Sequence, residues 1–287
     1  MPMKTRTWKT NLFIASMLLP ALTVALGIIA YPMLNTVWRS FQKADGSGFT
    51  LEHYRFLFTD RVALANIWYT FWITVVTVLL AIVIAYLFAM YLRFSNSRVR
   101  KIISTLYLLP RFVPELVAIY AMMTVVRDSG FLNRISQLFG GNFKPGLLFN
   151  ANGIIMMNLW FNIAFATMII VAALSSVPDS IIESARDVGA GKLKVFFKMI
   201  LPLSFKDVMI AMTFIFMSNI SSFTTPYLIG PNHPMMLGVY LRRQFQTNMN
   251  YELSAALSVV IFLFSSVSAV VYLYTNLKHK EWEKSGL

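Results

Sequence analysis

The sequence contains no cysteine and only three histidines, His53, His233 and His279, which lie far apart along the chain. Disulfide bonds and thiolate metal sites are therefore excluded. A metal centre built from clustered histidines is also not expected, so we predict no metal site in this chain. Nor does any grouping of His, Asp and Glu in the sequence suggest a nucleophile with its base, which argues against an enzyme embedded in the membrane.

Charged residues are also scarce. They make up 13% of the 287 residues, whereas 57% are hydrophobic. A soluble domain carries about 25% charged residues, so this composition indicates an integral membrane protein in contact with lipid. The net charge of +13 fits the usual accumulation of Lys and Arg on cytosolic loops. No basic run is long enough to be a nucleic-acid arm, and nucleic acid is not an expected partner.

The hydrophobic residues form six continuous stretches, each close to the length that crosses a bilayer. Because backbone groups inside a bilayer must be paired within the segment, we expect helices, and the continuous runs exclude an alternating barrel pattern. We therefore predict an all-α, polytopic membrane protein with a single transmembrane domain over 1–287. The predicted spans are about 12–38, 66–92, 102–126, 151–175, 206–229 and 253–277.

The basic residues also predict the orientation. Most Lys and Arg fall before the first span, in 93–101, in 176–206 and after the last span. By the positive-inside rule, these segments and both termini are expected in the cytosol. The first span follows Lys4, Arg6 and Lys9 but is longer than a cleaved signal sequence, so we expect it to be retained.

The cytosolic segment 176–205 has more internal pattern than a simple connection needs. Ser180 and Glu183 fit a capping box, which predicts a short helix from about 181 to 188. Gly189 and Gly191 would then stop that helix and turn the chain.

A second helix is predicted from Lys192 to about Leu201, lying along the membrane surface, before Pro202 redirects the chain into the fifth span. The resulting protrusion would present a surface of small residues on which another protein could pack closely: Ser184, Ala185, Gly189 and Ala190.

The run from Gly189 to Lys192 also invites comparison with a phosphate-binding loop. That motif requires glycine where Arg186 stands, and Ser or Thr where Leu193 stands. The chain is therefore not expected to bind ATP by this device.

The motif Glu183-Ser184-Ala185, with Gly189-Ala190 and Leu201-Pro202 at their spacing, resembles the EAA motif of membrane permease subunits of binding-protein-dependent ABC importers. The resemblance extends from the second span to the sixth, with Ser184 in place of the first alanine of the motif. It implies a MetI-like permease fold in the bacterial inner membrane. It also implies that the loop is a coupling helix, with Glu183, Ala185 and Gly189 at the docking positions. Capping and docking are compatible roles for Glu183.

The same resemblance implies partners. A dimer of cytosolic ATPase subunits would bind ATP and Mg²⁺, so this chain itself would need no cofactor and would have no catalytic site. A second, related permease chain and an extracytoplasmic substrate-binding protein would complete the importer. ATPase closure would then switch the permease between inward- and outward-facing states.

Weaker motifs indicate the type of importer. The segments 222–231, 236–240 and 255–258 resemble spermidine/putrescine-type permeases, a group that includes ferric-iron and phosphonate importers. A sugar or glycerol-phosphate importer is the alternative. An ion-coupled carrier is a third possibility, although Glu115 alone is thin support for one.

Polar residues within the spans are candidates for the translocation path. Arg111 and Glu115 are four residues apart and would share a helix face, which fits either an internal ion pair or a path-lining position. The other candidates could serve either helix packing or a hydrophilic passage: Asn158, Asn162, Asn219, Ser222 and Thr225.

Overall fold

The computed structural model describes residues 8–43 and 45–285, and this part of the chain is almost entirely helical. Within it, the only pairing of β type is one isolated bridge between Gln42 and Phe49. The helices are α1 (Trp8–Val24), α2 (Tyr31–Ser40), α3 (Glu52–Thr59), α4 (Arg61–Phe94), α5 (Arg98–Leu106), α6 (Leu109–Phe112), α7 (Glu115–Val126), α8 (Phe131–Leu138), α9 (Ala151–Ser175), α10 (Asp179–Asp187), α11 (Lys192–Val195), α12 (Leu201–Ile220), α13 (Thr224–Ile229), α14 (Leu237–Arg242) and α15 (Tyr251–Ser285). Short π-helical segments occupy Ala25–Ala30, Phe196–Ile200 and Arg243–Thr247.

Five helical stretches in the described chain are long and apolar enough to cross a membrane: Leu12–Ser40, Arg61–Phe94, Ala151–Ser175, Lys192–Ile220 and Tyr251–Tyr274. Two further pieces, Arg98–Phe112 and Glu115–Leu138, meet at an angle of 106° and make a sixth span if they are counted as one broken passage. The predicted third span is therefore bent sharply at Val113–Pro114. Proline disfavours helical geometry in the residue before it and has no N–H to donate, which explains the break.

The fifth span also differs from the prediction. The expectation that a surface helix ends near Leu201 and that Pro202 redirects the chain is wrong, because the helix is continuous from Lys192 to Ile220. A π turn precedes the proline, and the Leu201 N–H bonds to the carbonyl of Phe196. Such a local widening lets a membrane helix carry a proline without breaking. The helix then ends at Ile220, and α13 is a separate short helix.

The chain divides into two compact units, of which the first comprises the described part of residues 1–59 together with 241–260. In this unit the hydroxyls of Ser40 and Tyr54 lie 2.7 Å apart, and His53 Nε2 lies 2.9 Å from the carbonyl oxygen of Gln42. Leu57 of α3 is fully buried. These contacts connect α3 to the end of α2.

The second unit comprises residues 60–240 and the described residues from 261 onward. Its centre is a bundle of α4, α9 and α12. Helices α4 and α9 run in the same direction: Ile73 packs with Ile154, and twenty residues further on Arg93 reaches the carbonyl of Leu174. Helix α12 runs the opposite way, because its early residue Ser204 bonds to Tyr86 at 2.8 Å.

Small residues let these helices approach closely. Ala81, Ala85 and Ala89 recur every four residues on one face of α4, and each is fully buried. They belong to a core that also contains Ala166 and Ile170 of α9 and residues of α12. In membranes, helix association depends on such small-residue contacts, since lipid offers little hydrophobic drive for helices to pair.

This packing predicts that Ala85→Leu will destabilise the bundle by about 1–3 kcal/mol, the usual effect of overfilling a packed core. The melting temperature of the detergent-solubilised protein should fall accordingly. Val83→Leu on the exposed face of the same helix is the control and should leave the melting temperature nearly unchanged. Equal melting temperatures for the two variants would contradict the close-packing interpretation.

Candidate functional site

Helix α10, which carries Glu183, begins about two residues earlier than predicted. It starts at Asp179 after Pro178, and no side chain caps its first turn. The predicted capping box between Ser180 and Glu183 is therefore wrong. Helical geometry already begins at Asp179, so Ser180 lies inside the helix rather than at its N-cap.

The Asp179 carboxylate instead contacts Arg93 at the end of α4. Arg93 Nη2 donates to Asp179 Oδ1 at 2.7 Å, and Arg93 Nε donates to the carbonyl oxygen of Leu174 at 3.3 Å. One guanidinium thus connects the ends of α4 and α9 to the first residue of α10. Planar, multi-donor geometry of this kind suits arginine better than lysine.

The inward face of α10 is seated in the core of the second unit. Ile182 and Ala185 are 5% and 6% exposed and belong to the same apolar cluster as α4, α9 and α12. After the turn, Val195 and Ile200 are buried in that cluster as well. The loop is therefore fused to the bundle, and a displacement of α10 would have to displace the packed helices or break their contacts.

Gly189 ends α10 as the sequence predicted. Its φ is +80°, a left-handed conformation that disfavours residues with a Cβ. The N–H of Gly189 bonds to Arg186 O at 2.8 Å, and the N–H of Ala190 bonds to Ala185 O at 3.0 Å. These two bonds constitute a Schellman motif, which satisfies the last carbonyls of the helix.

The outward face of the loop differs in part from the predicted small-residue surface. Glu183, Ser184 and Gly189 are exposed, whereas Ala185 points into the core and Ala190 is half-buried against it. Ala185 therefore seats the helix and does not present its side chain to a partner. Its spacing of three from Ile182 places both residues on the inward face, which the motif alone does not reveal.

Two apolar side chains at the tip of the loop were missed in the sequence analysis. Val188 is 85% exposed and Leu193 is 74% exposed, one on each side of the glycine turn. Their exposure was predictable from the sequence, because they are large apolar residues beside a polar glycine turn and a short loop has nothing to cover them.

The prediction that Arg111 and Glu115 share a helix face is wrong, and so is the internal ion pair that was one of its two interpretations. The 106° bend lies between them, so they do not share a helix face. The Arg111 guanidinium lies 5.1 Å from the centre of the Phe165 ring, a cation–π contact. Glu115 begins α7, and its Oε1 accepts a hydrogen bond of 3.3 Å from Thr225 Oγ1 on α13. The structure thus brings together Glu115 and Thr225, which the sequence had placed in separate groups.

Three of the other candidates, Asn158, Asn162 and Asn219, lie close together, and all three are buried. Asn162 Nδ2 donates to the carbonyl of Asn158 at 2.8 Å and reaches Asn219 Oδ1 at 3.4 Å. Asn219 Nδ2 donates to the carbonyl of Ile215 at 2.7 Å. These contacts connect α9 with α12, which favours helix packing over exposure to a passage.

Ser222 lies in the break between α12 and α13, and its N–H bonds to Asn219 O at 3.1 Å. The Ser222 carbonyl lies so close to Gly238 that a Cβ there would come within 2.6 Å of it. The segment containing Gly238 is held by two fully buried residues of α4, which the sequence analysis missed. Asn66 Oδ1 accepts from Met235 N at 2.9 Å, and Thr70 Oγ1 accepts from Leu237 N at 2.8 Å.

Within the described ranges, no three His, Asp or Glu side chains converge as a metal ion requires. The arrangement therefore consists of two parts: a rigidly seated loop with one exposed face, and a pair of broken helices that meet at Glu115 and Thr225.

Comparison with known proteins identifies this arrangement. Residues 81–280 match the family model of the binding-protein-dependent transport system inner membrane component. The chain belongs to this family. It is therefore a permease subunit of an ABC importer, and the loop 176–205 lies wholly inside the matched region.

Individual relatives of the permease differ in their cargo. It is 23% identical over 254 residues to the spermidine/putrescine transport system permease protein PotB of Haemophilus influenzae, covering 86% of this chain and 88% of that protein. It is 25% identical over 287 residues to the sn-glycerol-3-phosphate transport system permease protein UgpA of Salmonella choleraesuis, covering 94% and 95%. Both importer types anticipated from the sequence motifs are thus represented among its relatives.

The fold of the permease is also found in solved structures. A bacterial ABC transporter involved in the import of the acidic polysaccharide alginate matches with a TM-score of 0.76 at 19% identity, over 95% of this chain and 96% of that one. The MetNI methionine ABC transporter in an inward-facing conformation matches with a TM-score of 0.55 at 16% identity, over 75% and 96%. The MetI-like fold expected from the motif is confirmed.

The geometry at Gly189 predicts the effect of giving that residue a side chain. Gly189→Ala should weaken the end of α10 by about 1–2 kcal/mol, because a left-handed backbone is strained for alanine. Hydrogen exchange at the amides of residues 189 and 190 should then be about 5–30 times faster. Gly191→Ala is a matched control, since Gly191 has φ −66° and open space around it. Equal exchange in the two variants would contradict a role for the positive φ.

The Arg93 contacts predict a second local effect. Arg93→Met should raise hydrogen exchange in the first turn of α10 while lowering the melting temperature little, because partly exposed ion pairs contribute about 0.2–1 kcal/mol. Arg186→Met serves as the control, because it removes an exposed guanidinium from α10 itself. Unchanged exchange at residues 180–183 in Arg93→Met would show that Arg93 does not hold the loop.

Proposed function

We propose that the loop 176–205 is the coupling element on which a cytosolic ATPase dimer acts, and that the permease converts this movement into passage of a solute across the bacterial inner membrane. The ATPase subunits would bind ATP and Mg²⁺. A second, related permease would enclose the pathway, and a substrate-binding protein would deliver the solute from the opposite side.

The observation that carries this proposal is the two-sided character of α10. One face, with Ile182 and Ala185, is buried among α4, α9 and α12, whereas the other exposes Glu183 and Ser184. A helix of this kind can receive a partner on one side and transmit its displacement through the other. Val188 and Leu193 would add apolar contact area at the tip, where a protein cleft could cover them.

Charge supports placing this loop, and both termini, in the cytosol. Basic residues accumulate at the same end of the bundle, after α4 and within the loop: Arg93, Arg98, Arg100, Lys101, Lys192, Lys194 and Lys198. Such accumulation is typical of cytosolic segments. The family description as an inner membrane component supports the location.

One of the solved structures with this fold is a bacterial alginate ABC transporter in complex with an alginate pentasaccharide-bound periplasmic protein. That complex supports a corresponding partner for this permease. For the solute we propose the polyamine, iron or phosphonate group, since the PotB permease from Haemophilus influenzae is a relative over most of the chain. A sugar or glycerol-phosphate is the second candidate, favoured by the UgpA relative.

The coupling role predicts that Glu183→Lys will abolish co-purification of the ATPase subunits, because it reverses the charge on the exposed docking face. The permease should still insert and accumulate in the membrane, since Glu183 makes no core contact. The measurement is pull-down of the tagged permease co-expressed with the ATPase from its own importer. Glu52→Lys makes the same charge change in α3, far along the chain from the loop, and should retain the ATPase.

Recovery of the ATPase at the wild-type ratio with Glu183→Lys would reject the docking role. Uptake by right-side-out vesicles separates the importer from an ion-coupled carrier. Uptake that stops on ATP depletion and survives an uncoupler supports the importer, and the reverse pattern would reject it.

A further inference from the structure

Resting on the proposed function, we propose that Glu115 is the point in the translocation pathway that binds a positively charged group of the solute. The transported solute is then an organic cation carrying a protonated amine. The inference comes from the position, charge balance and neighbours of this one carboxylate.

Glu115 lies deep in the membrane-spanning part of the chain. It is the first residue of α7, whose 12 residues extend roughly 18 Å to the helix end. One turn further on, Ala118 and Ile119 pack with Ile73 of α4 and Ile154 of α9. The start of α7 is therefore fixed against two helices that are long and apolar enough to span the membrane.

The side chain of Glu115 is nevertheless exposed on this chain. A carboxylate is expensive to place within a bilayer, and those that occur there face a partner or a water-filled cavity. The exposed side of α7 at Glu115 is thus the side that faces the pathway enclosed with the second permease.

No cation of the described chain neutralises this carboxylate. Arg111 is separated from it by the bend and lies over Phe165. The ion pair found in the described residues is Arg93 with Asp179, at the far end of α4. The contact made by Glu115 is the 3.3 Å hydrogen bond from the Thr225 hydroxyl, a neutral donor. An ionised carboxylate can accept about four hydrogen bonds, so most of its capacity is available to a solute.

The surroundings fit an alkylammonium ion better than other solutes. An anion would be repelled by Glu115. A ferric ion requires several oxygen ligands, whereas no group of three His, Asp or Glu side chains that could hold a metal ion occurs among the described residues.

The experiment measures uptake by cells that express the complete importer from its own genes in a host lacking amine importers. The labelled probes are putrescine, spermidine and choline as cations, glycerol 3-phosphate as an anion and maltose as a neutral sugar. We expect uptake of at least one cation and of neither other probe. In Glu115→Gln, uptake of that cation at limiting concentration should fall at least tenfold, with a raised KM. Glu115→Asp should restore part of it.

Glu252→Gln is the matched control, because it removes a carboxylate at the start of α15 and should leave uptake unchanged. Co-purified ATPase and its basal ATP hydrolysis should be the same in all variants, which separates this inference from the proposed function. Loss of the ATPase in the wild type would reject the proposed function instead.

Import of only maltose or glycerol 3-phosphate by the wild type would overturn the inference. So would cation uptake that Glu115→Gln leaves unchanged. If Glu115→Gln does not accumulate in the membrane, two measurements test the inference instead. Glu115→Asp should lower uptake of the cation, and the wild type should import a cation but neither maltose nor glycerol 3-phosphate.

Discussion

The close approach of α4 to α9 and α12 is the contact on which the second unit depends. Ala81, Ala85 and Ala89 leave no side chain that would separate the helices, and the bundle closes around them. Because lipid solvates apolar side chains as well as a protein core does, the gain comes from dispersion and shape at the interface. The loop 176–205 shares this rigidity, because Ile182 and Ala185 belong to the same cluster.

The bundle is not apolar throughout. The cluster containing Ile73 and Ile154 is distinct from the cluster containing Ala85 and Ile170. Between these residues along α4 and α9 lie buried polar side chains, namely Thr74, Thr77, Asn158 and Asn162. The contact of 3.4 Å between Asn162 Nδ2 and Asn219 Oδ1 adds a polar connection between α9 and α12 inside this bundle.

The sequence was sufficient for the features that depend on composition and local backbone chemistry. Continuous apolar runs identified the membrane helices, and Gly189 identified the end of α10, because only a left-handed residue completes that type of helix end. The motif around Glu183 was sufficient to name the family. Each of these signals lies within one short stretch of chain.

What the sequence could not show depends on distant contacts. Asp179 pairs with Arg93, 86 residues away, and nothing near Ser180 reveals that the helix has already begun. The inward direction of Ala185 follows from the position of the bundle. The hydrogen bonds from Asn66 and Thr70 to residues 235–237 join positions more than 160 residues apart. The shared helix face predicted for Arg111 and Glu115 is wrong because helix periodicity does not continue across the break at Pro114.

The distribution of helix breaks has a consequence for how such importers diversify. At the end near Arg93 and α10, side-chain contacts connect the helices to one another. Near Glu115 and Ser222, by contrast, two of the helical stretches are interrupted. Under the proposed function, substitutions at the interrupted end would change solute selectivity and leave the ATPase-docking surface intact. The solute and the energy coupling would then evolve independently of each other.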